Sequence, residues 1–197
     1  MRIKSHWFKN RKRTPQEIAG ALAFVIWRIG DNALKNTRSA RFEIAIGTQY
    51  FSFLIEFLVF LIQVADRIAY RRLSAEDRLA FTCALAHRVA ETLAENQSRL
   101  MGGSIEKHKQ YFIDKLNRRA GEYAEFEYGT DGPEFAFTRY LGFSMREVMD
   151  EKDSNWIIDQ MMSVAAPEAV EMVEKTLRDL FETEPGQPRS SKAVSGD

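Results

Sequence analysis

The most apolar part of the chain is a run of thirteen residues from Tyr50 to Ile62, which contains a single charged residue, Glu56. If this run forms a helix, at about 100° per residue, the polar residues in and around it fall on one narrow stripe. That stripe consists of Gln49, Ser52, Glu56, Gln63 and Arg67. Because the remaining circumference is aromatic or aliphatic, the pattern predicts a helix enclosed by other helices, by a partner chain or by lipid.

Helix start and stop signals predict three further long helices. Thr14, Pro15 and Glu17 are typical of a helix start, since they combine an N-cap, a first-turn proline and a capping box. Ser74 is a second N-cap, and the glycines at 102–103 end the helix that it opens. The four long helices are expected to begin near residues 14, 42, 74 and 104, and to end near residues 38, 73, 101 and 128.

A strong turn at 129–133 separates these helices from shorter ones. Helices are expected over 134–149, from a cap at 153 or 154, and over 167–182. No strand-like alternation of useful length is present. The sequence therefore predicts an all-α fold, a bundle of four long helices plus two or three shorter C-terminal helices.

Charge and composition predict three parts along the chain. Residues 1–13 carry six basic residues and no acidic one. A single all-helical domain is expected over 14–182, and 183–197 reads as a disordered tail rich in Pro, Gly and Ser. A basic arm with aromatic residues is typical of a segment that contacts anionic lipid or nucleic acid, although a solvated terminus has the same composition. The candidate contact residues in the arm are Trp7, Phe8, Lys9, Arg11, Lys12 and Arg13.

Composition favours a cytoplasmic protein of the bacterial type. The chain is 45% hydrophobic and 28% charged, with a net charge of zero. One cysteine, Cys83, allows no internal disulfide and favours a reducing compartment. No secretory signal is recognised, and the apolar run at 50–62 is shorter than the ~20 residues that a membrane-spanning helix needs. Association with a membrane surface remains an alternative to a purely cytoplasmic location.

Glu56 has two interpretations. A carboxylate forced into an apolar setting can take part in proton transfer. The polar residues in line with it favour instead a water-facing or interhelical seam, in which Glu56 bonds an arginine of a neighbouring helix. Cys83 is expected to face inward as inert packing, and His87 with Glu91 suits a surface pair. Because no Glu-x-x-His motif, nucleophile elbow or phosphate loop is present, we predict no metal, no cofactor and no enzyme activity.

We therefore predict a non-catalytic interaction or assembly protein that acts through apolar helix faces and forms a homodimer. The reason is that the Phe-rich helix and the amphipathic segment 170–181 expose more apolar surface than one small bundle covers. The alternative is a peripheral membrane protein, or one that binds a lipid or quinone-like ligand among the phenylalanines. The candidate ligand or interface residues are Gln49, Phe53, Glu56, Phe57, Phe60, Gln63, Trp156 and Met161.

DNA-binding regulation is a further alternative. In length, helix content and basic N-terminus the chain resembles the TetR family of repressors, a resemblance that implies a helix-turn-helix near the N-terminus. The corresponding region holds Arg-Ile-Gly-Asp at 28–31 and Gly-Thr-Gln-Tyr-Phe at 47–51 of a strongly apolar helix. Because no short polar recognition helix can be drawn from these residues, nucleic acid is the least favoured partner.

Overall fold

The first two helices begin at sharply defined signals. A computed structural model describes residues 13–182 of the chain. Helix α1 (Pro15–Ser39) starts at a complete capping box, in which the Thr14 hydroxyl accepts from the Glu17 amide and the Glu17 carboxylate accepts from the Thr14 amide at 2.8 Å. Helix α2 (Thr48–Tyr70) follows Gly47, whose φ of 119° lies in a region that favours glycine.

The next two helices form an antiparallel pair joined by a glycine turn. Helix α3 (Ala75–Met101) starts at Ser74, whose hydroxyl accepts from the Asp77 amide at 3.1 Å. It ends at Gly102, with φ of 77°. Helix α4 is Ile105–Tyr123.

The remaining elements are shorter and cover one side of α2. A two-residue antiparallel β-hairpin comes first, and a π-helical turn joins the last two helices without a break. In chain order they are β1 (Tyr128–Gly129), β2 (Gly132–Pro133), α5 (Phe135–Arg146), α6 (Trp156–Gln160), the π-helical turn Met161–Ala165 and α7 (Ala166–Glu182).

Helix α2 is the centre of the core. It contacts α1, α3, α4, α5 and α7, and each of its residues from Phe53 to Ala65 is buried. Gly30 allows α1 to lie close to it, because a Cβ at that position would meet the Leu58 side chain at 3.0 Å. The prediction of an enclosed apolar helix is therefore met by helices of the same chain.

The all-α fold class is confirmed, and two predicted helix ends are corrected. Helix α2 begins at Thr48 rather than near residue 42, because the backbone at Gly47 is incompatible with a continuous helix. Helix α4 ends at Tyr123 rather than near residue 128. At this end, the Arg67 guanidinium donates to the Tyr123 carbonyl. The residues that follow lead into the β-hairpin.

Three predicted inward positions are wrong. The helical pattern places Leu79, Cys83 and Ile105 toward the interior, but Leu79 is 65% exposed, Ile105 is 47% exposed and Cys83 is exposed. On α3, the buried stripe instead begins at Phe81 and continues toward the end of the helix. Its members are Phe81, Leu85, Ala86, Val89, Ala90, Leu93 and Ala94. The largest apolar side chain of the helix, Phe81, therefore sets the face that packs inward.

Other parts of the predicted organisation concern the ends of the chain. The basic arm and the C-terminal tail lie outside the described residues, apart from Arg13 at the arm's end, so the division into arm, domain and tail stays a prediction. Between residues 13 and 182, no helix combines the length and the apolar content needed to cross a membrane.

Candidate functional site

The polar stripe of α2 makes hydrogen bonds to the segments that enclose this helix. At its start, the Gln49 side chain donates to the Val148 carbonyl at 3.2 Å. At its end, Arg67 donates to the Tyr123 carbonyl at 2.9 Å. Gln63 lies between them and is only 8% exposed. Both ends of the stripe are therefore bonded to other segments of the same chain.

Glu56, at the middle of the stripe, is buried against two basic residues of α4. It is 3% exposed. Its two carboxylate oxygens accept from Arg119 Nε at 3.0 Å and from Arg119 Nη2 at 2.9 Å. The Lys115 ammonium lies 2.5 Å from Glu56 Oε1. Because Lys115 and Arg119 are one helical turn apart, they reach the same carboxylate from one face of α4.

Arg119 extends this arrangement toward the surface. The residue is 7% exposed, and it also donates to Glu147 at 3.0 Å, to Glu122 at 3.1 Å and to the Tyr140 hydroxyl. We call the whole set the Glu56 cluster, which consists of Glu56, Lys115, Arg119, Glu122, Tyr140 and Glu147. The cluster joins α2, α4 and the C-terminal half of α5, so it fixes three helices relative to one another.

The electrostatics of the cluster favour its charged form. Burial opposes the charge on Arg119, but the hydrogen bonds and the negative charge of Glu56 hold the pKa of Arg119 above its ordinary value. Burial likewise opposes ionisation of Glu122, but hydrogen bonds from Tyr140 and Arg119 lower the pKa of Glu122. Both carboxylate oxygens of Glu56 are held by basic residues of α4. The geometry therefore favours a structural role for Glu56 over proton transfer.

An open cleft of about 550 Å³ lies over the cluster, between the start of α2, α4 and the segment after α5. Its lining includes Glu56 and Lys115 of the cluster, together with Ser52, Glu147 and Asp150. Because three of these five residues are acidic and one is basic, the cleft offers hydrogen-bonding groups at its base. It is not the apolar pocket that a lipid or quinone-like ligand would need.

Tyr140 provides a test of the cluster by titration. Burial and the hydrogen bond that its hydroxyl donates to Glu122 raise the pKa of Tyr140 to about 12, from an ordinary value of 10.0. The folded protein holds this proton more tightly than the unfolded chain does. Its contribution to stability is therefore complete below about pH 10 and is lost as the pH rises to about 12.

We expect Tyr140→Phe to remove a phenolate transition near pH 12 from the ultraviolet absorbance titration of the native protein. The matched control is Tyr111→Phe, which removes a 56% exposed tyrosine of α4 and should leave that transition in place. If Tyr140→Phe removed a transition near pH 10 instead, the hydrogen bond to Glu122 would not hold in solution.

The phenylalanines predicted to contact a ligand or a partner lie in the core. Phe53, Phe57 and Phe60 are all 0% exposed. The Phe60 ring centroid lies 5.9 Å from that of Phe137 and 6.3 Å from that of Tyr123. Such burial inside one chain leaves none of these three side chains on the surface of the described residues. They fill the interior because α4 and α5 pack against the face of α2 that carries them.

Trp156 and Met161 are both candidate ligand or interface residues, but they differ in exposure. Trp156, the first residue of α6, is 69% exposed, whereas Met161, the first residue of the π-helical turn, is 0% exposed. Met161 is therefore a core residue. Trp156 remains available for contact with another molecule.

The predicted membrane or anion contacts lie almost entirely outside the described residues. Of the six candidates, Trp7, Phe8, Lys9, Arg11 and Lys12 precede the first described position. Arg13 is exposed and donates to the Leu180 carbonyl near the end of α7, at 3.4 Å. Arg13 therefore lies beside the C-terminal helix.

The histidines considered as metal ligands have other partners or lie apart. His108 shares a hydrogen bond of 2.9 Å with the Gly102 carbonyl in the turn before α4. His87 is exposed, and Glu91 pairs with Arg88 at 3.5 Å and with Lys109 at 3.9 Å. In the part of the chain that the structure describes, no group of three or more His, Cys, Asp or Glu side chains is arranged to hold a metal ion.

Lys115 and Arg119 are the site residues that the sequence interpretation missed. Arg119 occupies a position on the buried stripe of α4, between Leu116 and Tyr123, where an apolar residue is usual. A buried carboxylate on one helix requires a cation on another. An arginine on an apolar stripe is therefore the signal that would have identified the partner of Glu56.

Comparison with known proteins assigns the chain to no family. No protein-family model matches the sequence, no curated protein is similar to it, and no solved structure matches the fold. Function is therefore inferred from the geometry of the described residues alone.

Proposed function

We propose that the protein is a non-catalytic interaction or assembly protein that forms a homodimer through apolar side chains on the outer faces of its helices. The observation that supports this proposal is the number of large apolar residues left on the surface although α2 is enclosed. Those that are at least 60% exposed are Phe24, Ile46, Tyr70, Leu79, Leu100, Phe135 and Trp156. Exposed apolar side chains are normal singly, but a surface that offers many of them is typical of contact with another protein.

The surface that supports the proposal differs from the one that the sequence suggested. Of the residues of α2, only Tyr70 at its end contributes to it, because the phenylalanines of this helix are buried. On α7, Val170, Val173 and Leu177 are buried as well, and Met172 is 47% exposed. The available apolar surface therefore comes from α1, α3, α5, the start of α6 and the two residues that flank or end α2, Ile46 and Tyr70.

The polar residues also support a non-catalytic protein. Glu56, Glu122 and Glu147 each bond to Arg119, so the carboxylates of the Glu56 cluster are all engaged in holding helices together. The bonds to Glu56 and Glu147 bridge separate elements of the fold. Glu122, which shares α4 with Arg119, reaches α5 through the Tyr140 hydroxyl. Such an arrangement stabilises one packing of the bundle.

The two alternatives have less support from the described residues. The aromatic residues expected to line a lipid or quinone-like pocket fill the core instead. A DNA-binding role needs a helix that can enter the major groove. Residues 48–51 begin the central helix of the bundle and cannot serve that purpose without unfolding it.

A dilution series tests the proposal. We expect the mass from static light scattering to be twice 22.7 kDa at high protein concentration and to fall toward 22.7 kDa on dilution. An interface built from a few exposed side chains is small, and small interfaces dissociate in the micromolar range, on the order of 1–100 μM. A mass of one chain at every concentration would refute the homodimer.

A further inference from the structure

An exposed aromatic residue on α1 lies beside a groove that is open to the same residue of a second copy of the chain. Phe24 on α1 is 65% exposed. Gly20, one turn earlier on the same helix, has open space where a Cβ would be, with no atom within 4 Å. Between α1 and α3 lies a groove of about 300 Å³, whose α1 wall is Gly20, Ala23, Phe24 and Trp27. A protruding ring and a recess therefore lie about 6 Å apart along one helix.

We propose that this groove is the interface of the homodimer, with Phe24 of each copy seated beside Gly20 of the other. The inference rests on the proposed function and names the surface that performs it. A two-fold axis makes an interface self-complementary, so each contact occurs twice. If two α1 helices cross antiparallel with the axis near Leu22, Phe24 of one copy lies opposite Gly20 of the second copy. The same two-fold rotation places Phe24 of the second copy opposite Gly20 of the first.

Charges on the same face of α1 suit this arrangement. Glu17 and Arg28 lie at the two ends of the face, both exposed and about 16 Å apart along the helix. The axis that pairs Phe24 with Gly20 also places Glu17 of one copy against Arg28 of the other. The Glu17 carboxylate accepts from the Thr14 amide at the start of α1. Opposite charges therefore meet at both ends of the antiparallel pair.

The α3 wall is also compatible with a second copy. It carries Arg88, Glu91 and Glu95, so both signs of charge are present. Arg88 already pairs with Glu91 at 3.5 Å within the chain. Because the whole chain has a net charge of zero, two copies meet without long-range repulsion. A strongly acidic or basic partner would find no matching field on this face.

Replacing Phe24 tests the interface directly. We expect Phe24→Ala to raise the dissociation constant of the dimer roughly hundredfold, since the aromatic anchor is lost twice in a two-fold interface. The matched control is Tyr111→Ala, which removes a 56% exposed aromatic side chain from α4. This helix contributes none of the apolar residues that are at least 60% exposed. The control should leave the dissociation constant unchanged.

A charge exchange gives a second test with its own internal control. Glu17→Arg and Arg28→Glu each create like-charge pairs in the homodimer, and each should weaken it about tenfold. Mixed together, the two variants restore two opposite-charge pairs in a heterodimer. Native mass spectrometry of the mixture should therefore show the heterodimer in excess over either homodimer. Because Glu17 belongs to the capping box, circular dichroism first verifies that both variants are folded.

The outcomes separate the two proposals. If the native protein is a monomer throughout the dilution series, both the homodimer and this interface are refuted. If it dimerises and Phe24→Ala dimerises equally well, only the interface is refuted, and the groove is left to the arm at 1–12 or to a different protein. Equal weakening by Phe24→Ala and Tyr111→Ala would also refute it.

Discussion

Glu56→Gln is expected to lower the free energy of unfolding by about 3–5 kcal/mol, because it removes the buried negative charge that Arg119 and Lys115 share. The side chain keeps its size, so the loss does not come from a cavity. Arg119 retains Glu122 and Glu147, but Lys115 loses the carboxylate that lies 2.5 Å from its ammonium. Urea unfolding followed by circular dichroism measures the effect as a lower midpoint at constant slope.

Glu122→Gln is the matched control for this variant. Glu122 accepts from the same Arg119, but its side chain is 40% exposed, against 3% for Glu56. We expect it to cost less than about 1 kcal/mol, and the cost should shrink in high salt, where exposed charges are screened. The cost of Glu56→Gln should persist in salt. Equal losses for the two variants would contradict a buried, structural role for Glu56.

Phe60→Ala is expected to lower the free energy of unfolding by about 3–5 kcal/mol, since it opens a cavity at the centre of the core. Phe60 is 0% exposed, and its ring centroid lies within 6.1 Å of that of Phe57 and 5.9 Å of that of Phe137. Thermal or urea unfolding measures the loss. Phe60→Leu retains most of the volume and should cost less.

The control for Phe60→Ala is Phe135→Ala, which removes the same type of side chain from an exposed position. Substitutions at exposed positions usually change stability by about 0.5 kcal/mol or less. If Phe60→Ala were no more harmful than Phe135→Ala, α2 could not be the enclosed centre of the bundle.

Local signals in the sequence predicted those parts of the fold that depend on neighbouring residues. The capping box at Thr14 and the cap at Ser74 set helix starts within one turn, and the glycine at 102 ended α3. The start of α2 was missed because the apolar pattern runs on through residues 42–47. The decisive fact there is the positive φ of Gly47, which no side-chain pattern reveals.

Partners across the fold were harder to predict. The stripe on α2 indicated that Glu56 needs a polar neighbour, but which helix supplies it depends on tertiary packing. The inward face of α3 was predicted incorrectly for a related reason. The sequence of this helix contains two overlapping apolar stripes, and the one that includes Phe81 is the one that packs against other helices. The exposure of Phe24 escaped notice because the pattern of α1 marks its buried face alone.

The position of α2 has a consequence for synthesis on the ribosome. Its covering comes from both sides in the order of translation, with α1 before it and α3, α4, α5 and α7 after it. The phenylalanine-rich segment of α2 is therefore incompletely buried until α7 has emerged from the ribosome. The nascent chain exposes hydrophobic surface for most of its elongation. Chaperone binding during that interval would protect the chain until α7 completes the enclosure.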